Sequence, residues 1–139
     1  MIRAATKDDL QAVYGLMKQL SHHKFTEDQF KFCYFYNLAN NCILVCEENG
    51  CICGCGILTI YYSLHFSQKS AEIVNLIVDE NVRSRGIGKE LLLSLEQIAI
   101  DNGCVCLELS SGKQREAAHR FYEREGFVSS HYKFTKGLI

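Results

Sequence analysis

The sequence has no proline, no surplus of either charge and no long hydrophobic run, and each absence narrows what the chain can be. Lys plus Arg (15) nearly balance Asp plus Glu (16), and no basic tract or arm stands out, so the electrostatic footprint of a nucleic-acid binder is missing. No apolar run approaches the roughly 18 residues of a membrane span, and the chain opens into Ile2-Arg3-Ala4 without a signal-peptide pattern. A cytoplasmic protein without nucleic-acid or membrane partners is therefore expected. The missing proline removes one kind of boundary marker, and no repeat, linker or low-complexity stretch supplies another. With 139 residues, 47% of them hydrophobic, a single domain spanning 1–139 can bury a sizeable core.

What the chain has in quantity is cysteine, eight in all. Cys51, Cys53 and Cys55 alternate with Ile52, Gly54 and Gly56, and Cys104 and Cys106 repeat that period of two. A structural zinc site wants pairs two to four residues apart with a matching second pair. Strand-like alternation instead predicts reduced cysteines acting as small apolar filler, with metal binding or redox sensing the lesser alternative.

Periodicity orders the elements. After a short strand, Thr6 with Asp9 resembles a capping box, and Leu10, Val13, Tyr14, Met17 and Leu20 follow at helical spacing. Thr26 with Gln29 is a better box and opens a second helix ending near Asn40 and Asn41. Strands are predicted over Cys42 to Glu47 and Cys51 to Leu64, joined by Glu48-Asn49-Gly50, whose Asn-Gly suits a tight hairpin. Ala71 to Val78 is almost continuously apolar and predicts a central strand buried on both faces. A long helix then carries Leu91, Leu92, Leu95, Ile98 and Ala99 and stops at Asn102-Gly103. A strand over Val105 to Leu109, a helix over Glu116 to Glu125 closed by Gly126, and a last strand over Phe127 to Phe134 complete the order βααβββαβαβ.

The most informative stretch is Arg83-Ser84-Arg85-Gly86-Ile87-Gly88, between the central strand and the long helix. A glycine-bearing loop opening a helix presents unpaired N–H groups and the positive end of the helix dipole, a setting that binds a phosphate or pyrophosphate. The spacing lacks the third glycine of a dinucleotide fingerprint and the Gly-Lys-Ser/Thr of a P-loop. With Leu76-Ile77-Val78 before it, and Ala118-x-x-Phe121-Tyr122-x-x-x-Gly126-Phe127 downstream, the loop resembles the signature of the GNAT superfamily of N-acetyltransferases, whose element order matches along essentially the whole chain. The resemblance extends to the aminoalkylphosphonate N-acetyltransferases. It rests on Glu108-Leu109-Ser110, Ala118-His119-Arg120-Phe121-Tyr122, Arg124-Glu125-Gly126 and Ser130-His131, with a weaker match at Phe25, Phe30 and Asn37-Leu38.

This resemblance implies a mixed α/β fold in which a mostly antiparallel, splayed sheet is flanked by four helices and opens to admit acetyl-CoA. It implies that Arg83, Ser84, Arg85, Gly86, Ile87, Gly88 and Lys89 cradle the CoA pyrophosphate, that backbone groups of Ile77 and Val78 face the thioester, and that Ala118 lies at the cofactor. Many relatives carry Asn where this chain has Arg115; the arginine can still pair with a phosphate. Homodimerisation follows only by analogy.

Acetyl transfer makes two demands. An alkylamine with a pKa around 10 is almost wholly protonated near neutrality, so a proton must be removed. Glu72 is the candidate: a carboxylate in an apolar strand is costly without a partner or a task, and its predicted face holds Val74, Leu76 and Val78. The rival reading is a Glu at a frayed strand start paired with Lys69. The departing thiolate must also be stabilised, and Tyr122 matches the tyrosine that serves as the acid in related enzymes. A phosphonate needs cations or a bound divalent metal, and His22, His23, His65, His131 and Lys136 are candidates, His131 foremost, while Tyr34 and Tyr36 could line the acceptor site. Two alternatives stay open: the same scaffold acetylating a polyamine, a protein N-terminus or an aminoglycoside, and a CoA-binding regulatory module without turnover. No cysteine stands beside an evident base, which disfavours an acetyl-cysteine route.

Overall fold

Thr6 and Asp9 cap each other as a box and start a 3-10 turn, Lys7–Asp9, that runs into helix α1, Leu10–Leu20. Thr26 and Gln29 do the same for α2, Glu27–Asn40, through Gln29 N–H to Thr26 Oγ1 at 3.1 Å and Thr26 N–H to Gln29 Oε1 at 2.8 Å. These details come from a computed structural model, which describes residues 1–21, 23–83 and 85–139. The chain forms two compact units, Met1–Glu108 and Leu109–Ile139.

The first unit holds strands β1 (Ile2–Ala4), β2 (Cys42–Glu48), β3 (Cys51–Ser63) and β4 (Gln68–Val78), then a 3-10 turn, Glu80–Val82, and helix α3, Ile87–Asp101. Neighbouring strands from β1 to β4 pair antiparallel. Strand β5 (Leu107–Leu109) completes the order β1-β2-β3-β4-β5, its approach fixed by Val105 N–H to Lys69 O and Ala71 N–H to Cys106 O, both 2.9 Å. The expected strand from Val105 therefore begins two residues later. The second unit contains α4, Glu116–Arg124, so the chain has four α-helices among the described residues and a five-stranded, mainly antiparallel sheet.

Each face of the β2–β4 sheet has its own apolar layer. Val13, Leu16, Met17 and Tyr34 from α1 and α2 cluster with Ile43, Val45, Cys55, Ile57 and Ile77. On the opposite face Leu91, Leu92, Leu95 and Ala99 of α3 are buried, and the helix lies so near β3 that a Cβ at Gly54 would stand 2.9 Å from Leu91 Cδ1 and one at Gly56 2.7 Å from Leu95 Cδ1. The alternating glycines of the Cys-x-Cys-x-Cys run are thus the seat of α3, while Cys53 and Cys55 are buried and Cys51, at the hairpin, is exposed. Burial pushes the Cys55 thiol up to about 12, so it behaves as an apolar group.

The last predicted strand is absent. Residues 127–139 carry no regular hydrogen-bonded structure, and Val128, Tyr132 and Phe134 are exposed. Its pattern was broken at Ser129-Ser130-His131, leaving no continuous apolar row to reward pairing.

Candidate active site

In strand β4 one inserted residue decides which side chains share a face. Ile57 pairs with Asn75 and Leu58 with Ile73, so Val74 is an extra residue with no opposite number on β3. Across this bulge the alternation inverts. Cys55 opposes Ile77, Ile57 opposes Asn75 and Thr59 opposes Glu72, which puts Glu72, Asn75 and Ile77 together on the α1/α2 face. Leu76 and Val78 oppose Gly56 and Gly54 and turn to α3. The predicted grouping of Glu72 with Val74, Leu76 and Val78 is therefore corrected. Strict alternation cannot hold through an unpaired residue, and Val74 is itself 44% exposed.

Glu72 is half-buried. The rival pairing with Lys69 does not form: Lys69 Nζ donates to Asn102 O at 3.2 Å and lies 5.8 Å from the Tyr62 ring centroid. One step along the same face, Asn75 helps line a cavity of about 130 Å³, together with Val13, Met17, Cys33, Tyr34 and Ile57. Tyr34, expected to offer its phenol at an acceptor site, instead donates it to Thr6 O at 2.6 Å, and burial raises its pKa to about 12. It contributes its ring and no spare proton. Tyr36 is exposed on α2, and His65 lies in the turn between β3 and β4 against Phe66. Sequence reasoning missed Asn75 and the cavity, although an amide inside the apolar run Ile73 to Val78 was a signal for the first.

The loop before α3 ends in a glycine that opens the helix. Gly86 sits at the helix N-cap with φ 79°, a left-handed conformation that glycine adopts without strain, and its carbonyl accepts from Glu90 N–H at 3.0 Å. The N–H groups of Ile87 and Gly88 belong to the first turn, which has no carbonyls to receive them within the helix. A Cβ at Gly86 would meet nothing within 4 Å and one at Gly88 only Val78 Cγ2 at 3.6 Å, so the approach to these donors is open. Arg83 turns its Nε to Val78 O at 3.3 Å, Arg85 is exposed, and Ile87 is buried as the helix's anchor. Oriented donors, the helix dipole and flanking cations fit the CoA pyrophosphate. Ser84, from the same expected loop, and His22, a substrate candidate, lie outside the described residues.

In the second unit Tyr122 is 9% exposed on α4, its ring against Phe121 and Phe127 at 5.3 and 5.9 Å. Burial raises the phenol pKa above its usual value, and the charge of Arg115 opposes that rise. The phenol is thus neutral at pH 7 and able to donate. Arg115 is exposed at the N-cap of α4, and Ala118 is half-buried one turn before Tyr122. His131 lies beyond α4 in the non-strand segment, its Nδ1 2.7 Å from Ser130 Oγ. Because the last strand is missing, His131 is not on a returning strand as expected; Lys136 shares that exposed segment and His23 is exposed before α2. Among the described residues, no group of three or more His, Cys, Asp or Glu side chains could hold a metal ion, and no helix is long and apolar enough to cross a membrane.

Comparison with known proteins bears directly on these features. Residues 8–127 match the family described as the acetyltransferase (GNAT) family. An aminoalkylphosphonate N-acetyltransferase of Salmonella typhimurium is 34% identical over 139 residues, covering 99% of this chain and 90% of that protein. Among solved structures, a putative acetyltransferase from Agrobacterium tumefaciens superposes with TM-score 0.87 at 28% identity over 99% of each chain. One called a transcriptional regulator, from Bacillus halodurans, reaches 0.89 at 26% identity, again over 99% of each.

Proposed function

The chain belongs to the GNAT family of acetyl-CoA-dependent N-acetyltransferases, and we propose from that premise that its acceptor is the primary amine of a small aminoalkylphosphonate. The observation that carries the proposal is the near end-to-end likeness to the Salmonella aminoalkylphosphonate N-acetyltransferase, which spans both units and includes the segments around Glu72 and Tyr122. The two units then serve one catalytic domain, working in the cytoplasm where acetyl-CoA is made.

In this reading the loop from Arg83 to Lys89, with Arg115, holds the cofactor's phosphates, and Ile77, Val78 and Ala118 border its pantetheine arm. Acetyl-CoA supplies an acyl group on a thiol leaving group. Glu72 takes the ammonium proton, directly or through water; it is half-buried, and among the described residues no cation forms an ion pair with it. Tyr122 keeps its proton and donates a hydrogen bond as thiolate charge develops. Outright transfer from a phenol near 10 to a thiol near 8.5 is uphill by roughly 2 kcal/mol before the burial of Tyr122 adds to it. The phosphonate takes a hydrogen bond from a side chain such as His131, and its counter-charge from Lys136 or from a divalent ion bound with the substrate.

The test is a panel of amines under saturating acetyl-CoA. Aminomethylphosphonate and its ethyl homologue should exceed spermidine, a peptide N-terminus and an aminoglycoside in kcat/KM by at least tenfold. Turnover of the phosphonates no better than that of spermidine overturns the assignment and leaves a GNAT enzyme for another amine.

A further inference from the structure

We propose that the cavity between α1, α2 and the bulged strand β4 receives a hydrocarbon substituent of the amine acceptor, making this enzyme selective for amines that carry an alkyl group of about four carbons. The inference rests on the assignment of Glu72 to the acceptor's proton and extends it to the part of the acceptor that does not react.

Three observations place an acceptor here and not the cofactor. The cavity lies on the α1/α2 face, bounded by Val13, Met17, Ile43 and Ile57, whereas α3, from its first turn onward, packs against the opposite face at Gly54, Gly56 and Val78. Its wall on β4 is Asn75, and the bulge at Val74 brings Asn75 onto the face of Glu72, where the pairs Ile57–Asn75 and Thr59–Glu72 are consecutive. Two residues along β3 separate these pairs by about 7 Å, the span from a reacting nitrogen to the middle of a short alkyl chain. Cys33 lines the cavity and is exposed on α2, so the space reaches the surface.

Its chemistry selects the occupant. Val13, Met17, Phe30, Ile43 and Ile57 make most of its wall apolar, Asn37 spends its amide on Cys33 O and Asn41, and no charged side chain is in the lining among the described residues, so a phosphonate or ammonium group would be desolvated there without an opposite charge. About 130 Å³ is a little less than the roughly 150 Å³ engineered cavity that holds benzene, and suits a branched or linear group of about four carbons. Asn75 contributes a side-chain amide that makes no hydrogen bond to any described residue. It is placed to meet a polar group next to the alkyl branch.

Two substrate series on the unaltered protein test this. The first is 1-aminoalkylphosphonates from 1-aminoethyl to 1-aminohexyl, and the second is α-amino amides with the same side chains, which keep the branch and drop the phosphonate. In whichever series is turned over, kcat/KM should rise roughly fourfold per added methylene up to about four carbons and then fall. Such a rise confined to the amides sustains the pocket and overturns the phosphonate reading. A flat or falling trend in phosphonates that are good substrates overturns the pocket alone, and so does the lack of any length dependence in both series. Cys33→Phe, at an exposed lining position, should lower the ratio of four-carbon to one-carbon kcat/KM at least tenfold; an unchanged ratio overturns the proposal.

Discussion

Single side chains separate the two halves of the chemistry. Tyr122 is held by ring contacts within its own unit, and its raised pKa keeps it protonated well past neutrality. Tyr122→Phe retains those contacts and removes only the hydroxyl, so kcat should fall about 10² -fold with KM for the amine little changed. In the unmodified enzyme the loss of rate at alkaline pH should set in above the ordinary tyrosine value, because a raised pKa keeps the donating form to higher pH, and the variant should lack that limb. Stopped-flow or steady-state pH profiles of both proteins check this, and an unaltered rate in the variant would revive a CoA-binding module without turnover. At this scale the sequence was partly legible. Tyr122 and Glu72 stood out because a motif surrounds one and an apolar strand the other, but the face of Glu72 was misread because one unpaired residue at Val74 inverts the pleat without any mark in composition.

At the scale of elements, two glycines do different work and should fail differently. Gly56 is there for proximity: a Cβ would stand 2.7 Å from Leu95 Cδ1, so Gly56→Ala forces the fully buried Leu95 side chain to shift and should cost about 1–3 kcal/mol in denaturant unfolding. Gly86 has open space around it but φ 79°, and a side chain there strains the backbone by about 1 kcal/mol or re-aims the first N–H groups of α3. Gly86→Val should therefore raise KM for acetyl-CoA severalfold with a small stability loss, the reverse of Gly56→Ala. Isothermal calorimetry with CoA beside chemical denaturation separates the two, and equal effects on affinity would refute the distinction. The helices, the Asn49-Gly50 hairpin with φ 52° and 78°, and the stop at Gly103 were all readable because each is fixed by local signals. The missing last strand was not, because a strand is completed by a partner that no local pattern specifies.

Across the first unit as a whole, one ion network ties the start of the chain to the sheet. Arg3 on β1 donates to both Asp9 carboxylate oxygens at 2.8 and 2.9 Å and to Glu47 Oε1 at 2.6 Å on β2, while Asp9 also accepts from Thr6 N–H. These partners, separated by up to 44 residues, could not be paired from sequence, although the capping half of the arrangement could. The hydrogen bonds from Arg3 hold the Asp9 carboxyl below its usual range despite its burial. A carboxyl lowered on folding adds stability at pH values above its unfolded pKa, near 3.9, and that contribution is lost as pH falls through the lowered folded value. Asp9→Asn should thus be about 1.5–3 kcal/mol less stable at pH 7, since the paired carboxylate is lost and Arg3 keeps Glu47 as its one charged partner among the described residues. As pH falls below about 4 the two proteins should converge, because the unmodified carboxylate is then being neutralised as well. Urea unfolding from pH 7 to pH 3 reads both quantities, and parallel curves over that range would show that Asp9 does not carry the linkage.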